Sequence, residues 1–406
     1  MKACRLCGSK DLAPAIDLGA MPIAHRMRSR RDETDRRYPF REVLCRGCGV
    51  VQIAEPIDPQ ELYRDFNYCF SGWKPQPHIA DELRLILAET PGPNLVEIGS
   101  NDGLFLNEAR QAGFAPVLGI EPNAVATGFA RDRGLEIVNE MLTPALARDL
   151  AGRRGRFDVV ALRQVLEHLT DIAGFFRSVE ALLKPEGVLF VDVPDCRQAF
   201  LAGDVSMIWE EHVNYFTEDT LEAALGRFGF GVLRRARYNF SGGTIAVVAR
   251  RGAVKPRVFD LAAHNGEVGR YEERARAYRA RLRALLGHAR ASGHAVVLYG
   301  AGNRANTLTN WAALGALIDY AVDDQAERQG KFLPGTGIEV RAATALAAET
   351  RPVLCLLAVN TENDGPVTAK AMGLVRRQAI VFSLLSPKDI MAELDRASNQ
   401  LGMKLA

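Results

Sequence analysis

The stretch Leu95-Val96-Glu97-Ile98-Gly99-Ser100-Asn101-Asp102-Gly103 decides how the rest of this chain is read. A short apolar run breaks into a turn carrying two glycines, and helical spacing follows. That is the strand, turn and helix of an open α/β sheet, in which Gly99 and Gly103 let the backbone approach a ligand where a Cβ would intrude. The next apolar run ends at Glu121 in Gly119-Ile120-Glu121-Pro122. A carboxylate there can accept hydrogen bonds from both hydroxyls of a ribose, so the two segments together imply a nucleoside-type cofactor. Their spacing alone does not separate NAD from S-adenosylmethionine.

Working outward, apolar runs at 94–98, 117–120, 157–162 and 187–193 alternate with stretches of helical period. The alternation predicts a parallel sheet covered by helices over 76–252. Residues 253–290 are rich in Arg, Glu, Ala and Leu, with no proline from Val258 onward, and predict one long linker helix. Apolar runs then recur at 294–299, 318–322, 353–359 and 380–384, so 291–406 reads as a second α/β unit. Residues 1–75 show little periodicity and many turn residues, the pattern of a small module that needs something other than a large core.

Composition bounds the answer without naming a partner. A chain of 406 residues suits two or three domains, and 48% hydrophobic, 25% charged residues and 36 glycines lie near globular averages, which excludes a fibrous or disordered chain. A net charge of +2 is too small for the basic field of a nucleic-acid binder. No apolar run approaches the ~20 residues that cross a bilayer, and Met1-Lys2-Ala3-Cys4 opens no export signal, so a cytoplasmic protein without a membrane partner is expected.

In that compartment paired cysteines imply a metal rather than a disulfide. Cys4-x-x-Cys7 and Cys45-x-x-Cys48 are each followed by a glycine, Gly8 and Gly49, and two such turns supply four thiolates to a tetrahedral Zn²⁺. Four sulfurs leave no position for water, so the zinc is structural. The arginines of 26–37 are interleaved with Asp32, Glu33 and Asp35, which favours a solvated loop over a nucleic-acid surface.

Further along, Phe157-Asp158-Val159-Val160 leads into Arg163-Gln164-Val165-Leu166-Glu167-His168-Leu169, and Leu183-Lys184-Pro185-Glu186-Gly187 leads into the run that ends at Val193. With the turn Glu97-x-Gly99-x-Asn101-x-Gly103, this order resembles the motif series of class I methyltransferases. The resemblance implies S-adenosylmethionine as cofactor, with Gln164 close to it and Glu167 and His168 at its border. It also implies a seven-stranded sheet whose last strand, near 244–249, runs antiparallel.

After the strand ending near Pro194 comes Trp209-Glu210-Glu211-His212-Val213-Asn214-Tyr215-Phe216, a loop that would lie over the carboxyl edge of the sheet, where open α/β folds bind ligands. His212 is the side chain best suited to exchange a proton near neutrality, with Glu211 expected to orient or tune it. The cysteine module, Tyr68-Cys69-Phe70-Ser71-Gly72, Glu211-His212-x-x-Tyr215-Phe216, Gly242-Gly243-Thr244, Tyr299-Gly300-Ala301-Gly302 and Val322-Asp323-Asp324-Gln325 occur in one order. Over essentially the whole chain this resembles the sugar C-methyltransferases of deoxysugar biosynthesis.

That resemblance implies methylation at C-3 of a nucleoside-diphospho-4-keto-6-deoxyhexose, with His212 as base, Glu211 as its partner and Tyr68 as the phenol nearest the sugar. It places Trp209, Asn214 and Tyr299 along the substrate; the loop 300–306 departs from the family's lysine-containing version, with Arg304 near the lysine's place and able to meet a pyrophosphate bidentately, and Lys331 is expected on another wall of the same cleft. Trp209 stands where the family usually has a tyrosine, so a hydroxyl contact at that place needs another donor here. Two other functions share some of these motifs: an O- or N-methyltransferase, and a non-catalytic zinc-ribbon binding protein.

Overall fold

A computed structural model describes residues 1–62, 75–252 and 259–403. Three sheets organise it. The central one has seven strands in the spatial order Phe230–Tyr238, Thr244–Arg251, Leu183–Pro194, Phe157–Arg163, Leu95–Ile98, Val117–Ile120 and Ile137–Val138. The middle strands are uninterrupted apolar runs because helices cover both faces, and Leu95, Val96, Val159, Val160, Leu189 and Phe190 are sealed from solvent. Thr244–Arg251 runs antiparallel to both its neighbours, as the motif order implied.

The C-terminal unit is a five-stranded parallel sheet in the order Val340–Ala342, Tyr320–Asp323, Ala295–Tyr299, Val353–Leu357, Ala379–Ser383. The short edge strand Val340–Ala342 was not expected, being too brief to show a period. The expected linker helix is two helices, Leu261–Val268 and Tyr271–Ala291, parted by a turn at Gly269-Arg270. The second does more than link. Tyr271, Ala275, Tyr278, Leu282, Leu285, Leu286 and Ala289 form a fully buried stripe at helical spacing. It packs in one core with Ile16 and Met21 of the N-terminal module and Val296 and Leu298 of the C-terminal sheet.

The third sheet determines the site. Leu12–Pro22, Arg37–Cys45 and Val51–Ile53 form an antiparallel meander, and its fourth strand is Asn214–Tyr215, from the loop singled out above. Val51 pairs with Tyr215 and Gln52 with Asn214. The expected junctions near 75 and 253 fall at or beside residues outside the described set. Among the described residues no helix is long and apolar enough to cross a membrane.

Candidate active site

The two cysteine turns come together. Gly8 (φ 74°) and Gly49 (φ 78°) take the left-handed conformation that lets each chain fold back, their amides donating to the Cys4 and Cys45 carbonyls at 2.9 and 2.7 Å. Cys4 Sγ lies 3.7 Å from Cys48 Sγ and Cys7 Sγ 3.5 Å from Cys45 Sγ, all four sulfurs within 4.8 Å of one another. Tetrahedral Zn²⁺ with Zn–S bonds of ~2.3 Å needs sulfurs about 3.8 Å apart, so these residues fit the ion. The arginine loop 26–37 is not simply solvated. Its tip is exposed, but Arg28 and Phe332 of the C-terminal unit exchange two backbone hydrogen bonds at 2.9 Å, and Arg28 pairs with Asp35.

The turn after Leu95–Ile98 builds the cofactor cleft. Gly99 (φ 71°), Asn101 (φ 48°) and Gly103 (φ 76°) all adopt left-handed backbone, and a Cβ on Gly99 would sit 2.6 Å from Val165 Cγ2. Glu121 accepts from the Asn101 and Asn123 amides at 2.8 and 2.7 Å, which fixes its carboxylate at the strand end with lone pairs to spare for ribose hydroxyls. Burial raises its pKa. Glu97 is buried and driven well above the usual carboxylate range by desolvation, and its Oε2, like Ser100 Oγ, meets no hydrogen-bond partner among the described residues. Orphaned polar atoms in a glycine-lined cleft are what a polar cofactor would satisfy, so these residues fit S-adenosylmethionine. Gln164 (φ 52°) is held by Asp192 Oδ1, which accepts from its amide at 2.7 Å and its Nε2 at 3.3 Å.

A charged network beneath the cleft had no local signature in the sequence. Buried Arg163 meets Glu82 Oε2 at 2.8 Å and Asp192 Oδ2 at 3.7 Å, and donates to Gln76 Oε1 at 2.9 Å. Gln76 and Arg163 line the cleft with Glu97, Ser100, Asp102 and Phe105. The partners lie up to 87 positions apart in the chain, so only the fold unites them.

His212 sits in an aromatic nest. Its ring centroid lies 4.0 Å from that of Trp209 and 4.8 Å from that of His168, which meets it edge-on. Burial first, and His168 second, hold His212 well below its ordinary pKa, so it is neutral at physiological pH. His168 Nδ1 lies 2.8 Å from the Glu211 carbonyl, and buried Glu167, whose carboxyl burial pushes far up, completes a cluster with the two histidines within 4.8 Å. The expected pairing of Glu211 with His212 is not what the structure holds. The Glu211 carboxylate turns instead to His25 Nδ1 at 3.2 Å.

Several substrate candidates are otherwise occupied. Asn214 spends its side chain on the protein, accepting from Gln52 Nε2 at 2.9 Å and donating to the Leu169 carbonyl at 2.8 Å, because it sits on the strand that joins the two units. Tyr299 is buried, its hydroxyl donating to the Asp324 carboxylate at 3.1 Å. Arg304 is buried too and holds Ser206 Oγ at 3.0 Å, Asn360 Oδ1 at 3.1 Å, Asp204 Oδ2 at 3.0 Å and the Ser386 carbonyl at 3.0 Å. A guanidinium so engaged has no fork left for a pyrophosphate, and Arg304 clamps two units together. Lys331 is exposed, next to the Arg28–Phe332 bridge. Tyr68 lies outside the described residues.

Comparison with known proteins matches three family models along the chain: a zinc binding domain over 4–63, a methyltransferase domain over 74–234, and a C-methyltransferase C-terminal domain over 240–378. C-methyltransferase NovU of Streptomyces niveus is 30% identical over 379 residues, covering 88% of this chain and 89% of that one. The ubiquinone biosynthesis O-methyltransferase of Haemophilus ducreyi is 32% identical over 151 residues, 33% of this chain and 64% of its own length. Among solved structures, an S-adenosylmethionine dependent methyltransferase from Mesorhizobium loti aligns over 42% of this chain and 96% of its own, at 19% identity and TM-score 0.34.

Proposed function

The chain belongs to the sugar C-methyltransferase family, and from that premise we propose that it methylates C-3 of a nucleoside-diphospho-4-keto-6-deoxyhexose, with His212 taking the C-3 proton. That it is an S-adenosylmethionine-dependent methyltransferase with a structural zinc follows from the family itself, and disposes of the non-catalytic zinc-ribbon alternative.

One observation carries the reading: a neutral imidazole, buried against Trp209 and His168, on a loop at the carboxyl edge of the sheet that also holds the cofactor turn. A carbon beside a ketone gives up its proton only if a base receives it and the enolate oxygen is stabilised. An imidazole kept unprotonated is in its working form in nearly every molecule. When bound, the cofactor supplies an electrophilic methyl group. The chain's part is positioning: Glu121 would hold the ribose and Gln164, braced by Asp192, would lie beside the donor, so that the enolate carbon faces the methyl in line. Tyr68 is proposed as the phenol donor to the enolate oxygen and Lys331 as a cation for the diphosphate.

The experiment is hydrogen exchange in heavy water without methyl donor. The enzyme should exchange the C-3 hydrogen of a nucleotide-linked 4-ketosugar, and His212→Asn should stop it. Absence of exchange together with methyl appearing on oxygen would refute the mechanism in favour of an O-methyltransferase.

A further inference from the structure

His25 lies just beyond the strand Leu12–Pro22 of the zinc-binding module, far in sequence from the loop that it touches. Its Nδ1 is 3.4 Å from Glu210 Oε1 and 3.2 Å from Glu211 Oε1. The neighbouring Ala24 amide donates to the same Glu210 oxygen at 2.7 Å. The three side chains are only 9%, 3% and 13% exposed, so two adjacent carboxylates converge in a nearly dry pocket. Like charges so placed repel unless a cation stands between them. The other face of the same loop carries the chemistry: the Glu211 carbonyl is 2.8 Å from His168 Nδ1, and the Tyr215 hydroxyl donates to the His212 carbonyl at 2.9 Å.

We propose that His25 is a positioning residue of the methyl-transfer site, its ring held between Glu210 and Glu211 so that the loop bearing His212 keeps its place. The inference rests on the reading of His212 given above. Burial alone would lower the pKa of His25, but pairing with Glu210 and then Glu211 lifts it to about 9, so the ring is a cation through the neutral range. Among the described residues the charged groups around it include Glu210 and Glu211 from the loop; Arg26, next in its own turn, is drawn away to Glu61 Oε1 at 2.9 Å, and His168 and His212 lie across the loop. Nothing in the local sequence marks His25, since both its partners belong to another domain.

The test uses the full-length zinc-loaded protein, with His25→Asn removing the charge and His25→Arg keeping it at all accessible pH. Amide hydrogen exchange over 208–216, kcat against pH, metal content and donor affinity are measured. In His25→Asn, exchange over 208–216 should quicken by at least about tenfold and kcat fall by a similar factor, while one zinc per chain and the donor affinity stay within about twofold. Wild-type kcat should decline on an alkaline limb near the His25 value of about 9, and His25→Arg should recover most of kcat and lose that limb. Adding Glu211→Gln to His25→Asn should restore part of the protection, which covers the case of an arginine too large for the pocket. Unchanged protection and kcat in His25→Asn overturns the proposal. So does an alkaline limb that persists in His25→Arg, or a second metal ion lost with His25. Should the wild type transfer no methyl to any ketosugar, the His212 reading fails, and the exchange arm alone decides whether His25 positions the loop.

Discussion

Replacing Arg304 with alanine separates two incompatible roles for that residue, a clamp inside the protein and a hand on the substrate. The guanidinium makes four hydrogen bonds, to Ser206, Asn360, Asp204 and Ser386, and its partner Asp204 is sealed from solvent. Removing one member of a buried ion pair costs about 3–5 kcal/mol because a charge is left uncompensated. Asp204 keeps two backbone donors, the Ser206 amide at 2.8 Å and the Ser386 amide at 2.7 Å, so the lower end, about 3 kcal/mol, is expected. That is roughly a hundredfold in the folding equilibrium. Urea unfolding followed by circular dichroism should show the midpoint falling at unchanged slope. Arg304→Met with Asp204→Asn, which removes both charges, should recover much of the loss. A destabilisation under about 1 kcal/mol, with KM for the sugar nucleotide raised about tenfold or more, would mean that Arg304 reads phosphate and that the clamp argument is wrong.

Two further outcomes follow from other groups. Stripping zinc with a chelator, or Cys45→Ser, should melt the 1–62 meander and abolish turnover while donor binding, measured by calorimetry, persists in the central sheet; turnover that survives metal loss, or donor binding lost together with it, would contradict this. Stability should also vary with pH in a definite sense. His168, His212 and His264 have folded pKa values held below 6.5, chiefly by burial, so the unfolded chain binds their protons first and stability should decline as pH falls through about 6.5. His25 is raised, so its contribution is complete below 6.5 and lost as pH climbs towards about 9. Thermal stability across this range should therefore peak near pH 6.5 and fall on either side, and a monotonic profile would count against the assignments.

What could be read from the sequence was what depends on short spans. Leu95–Ile98 and Phe157–Arg163 announce themselves as buried strands by unbroken apolar runs, and the cysteine turns by spacing. Glu121 could be placed because a strand end is a local feature. Arg304, Asn214 and Glu211 have partners other than those expected, for one shared reason. A polar side chain in sequence shows what it can bond to but not whether the protein has already supplied the partner, and here Asp204, Gln52 and His25 came from other segments. Arg163 was missed by the same logic, its acids lying on a helix and a strand far along the chain.

The two-residue strand Asn214–Tyr215 also sets an order of events during synthesis. The edge Val51–Ile53 meets its last neighbour only after Asn214 has left the ribosome, 162 residues after Gln52. At about 5–20 residues per second the nascent amino-terminal unit waits roughly ten to thirty seconds with that edge unpaired. The exposed edge is only three residues long, short enough to limit mispairing with other nascent chains, and the same dependence means that the two units cannot be shuffled apart by recombination without leaving each incomplete.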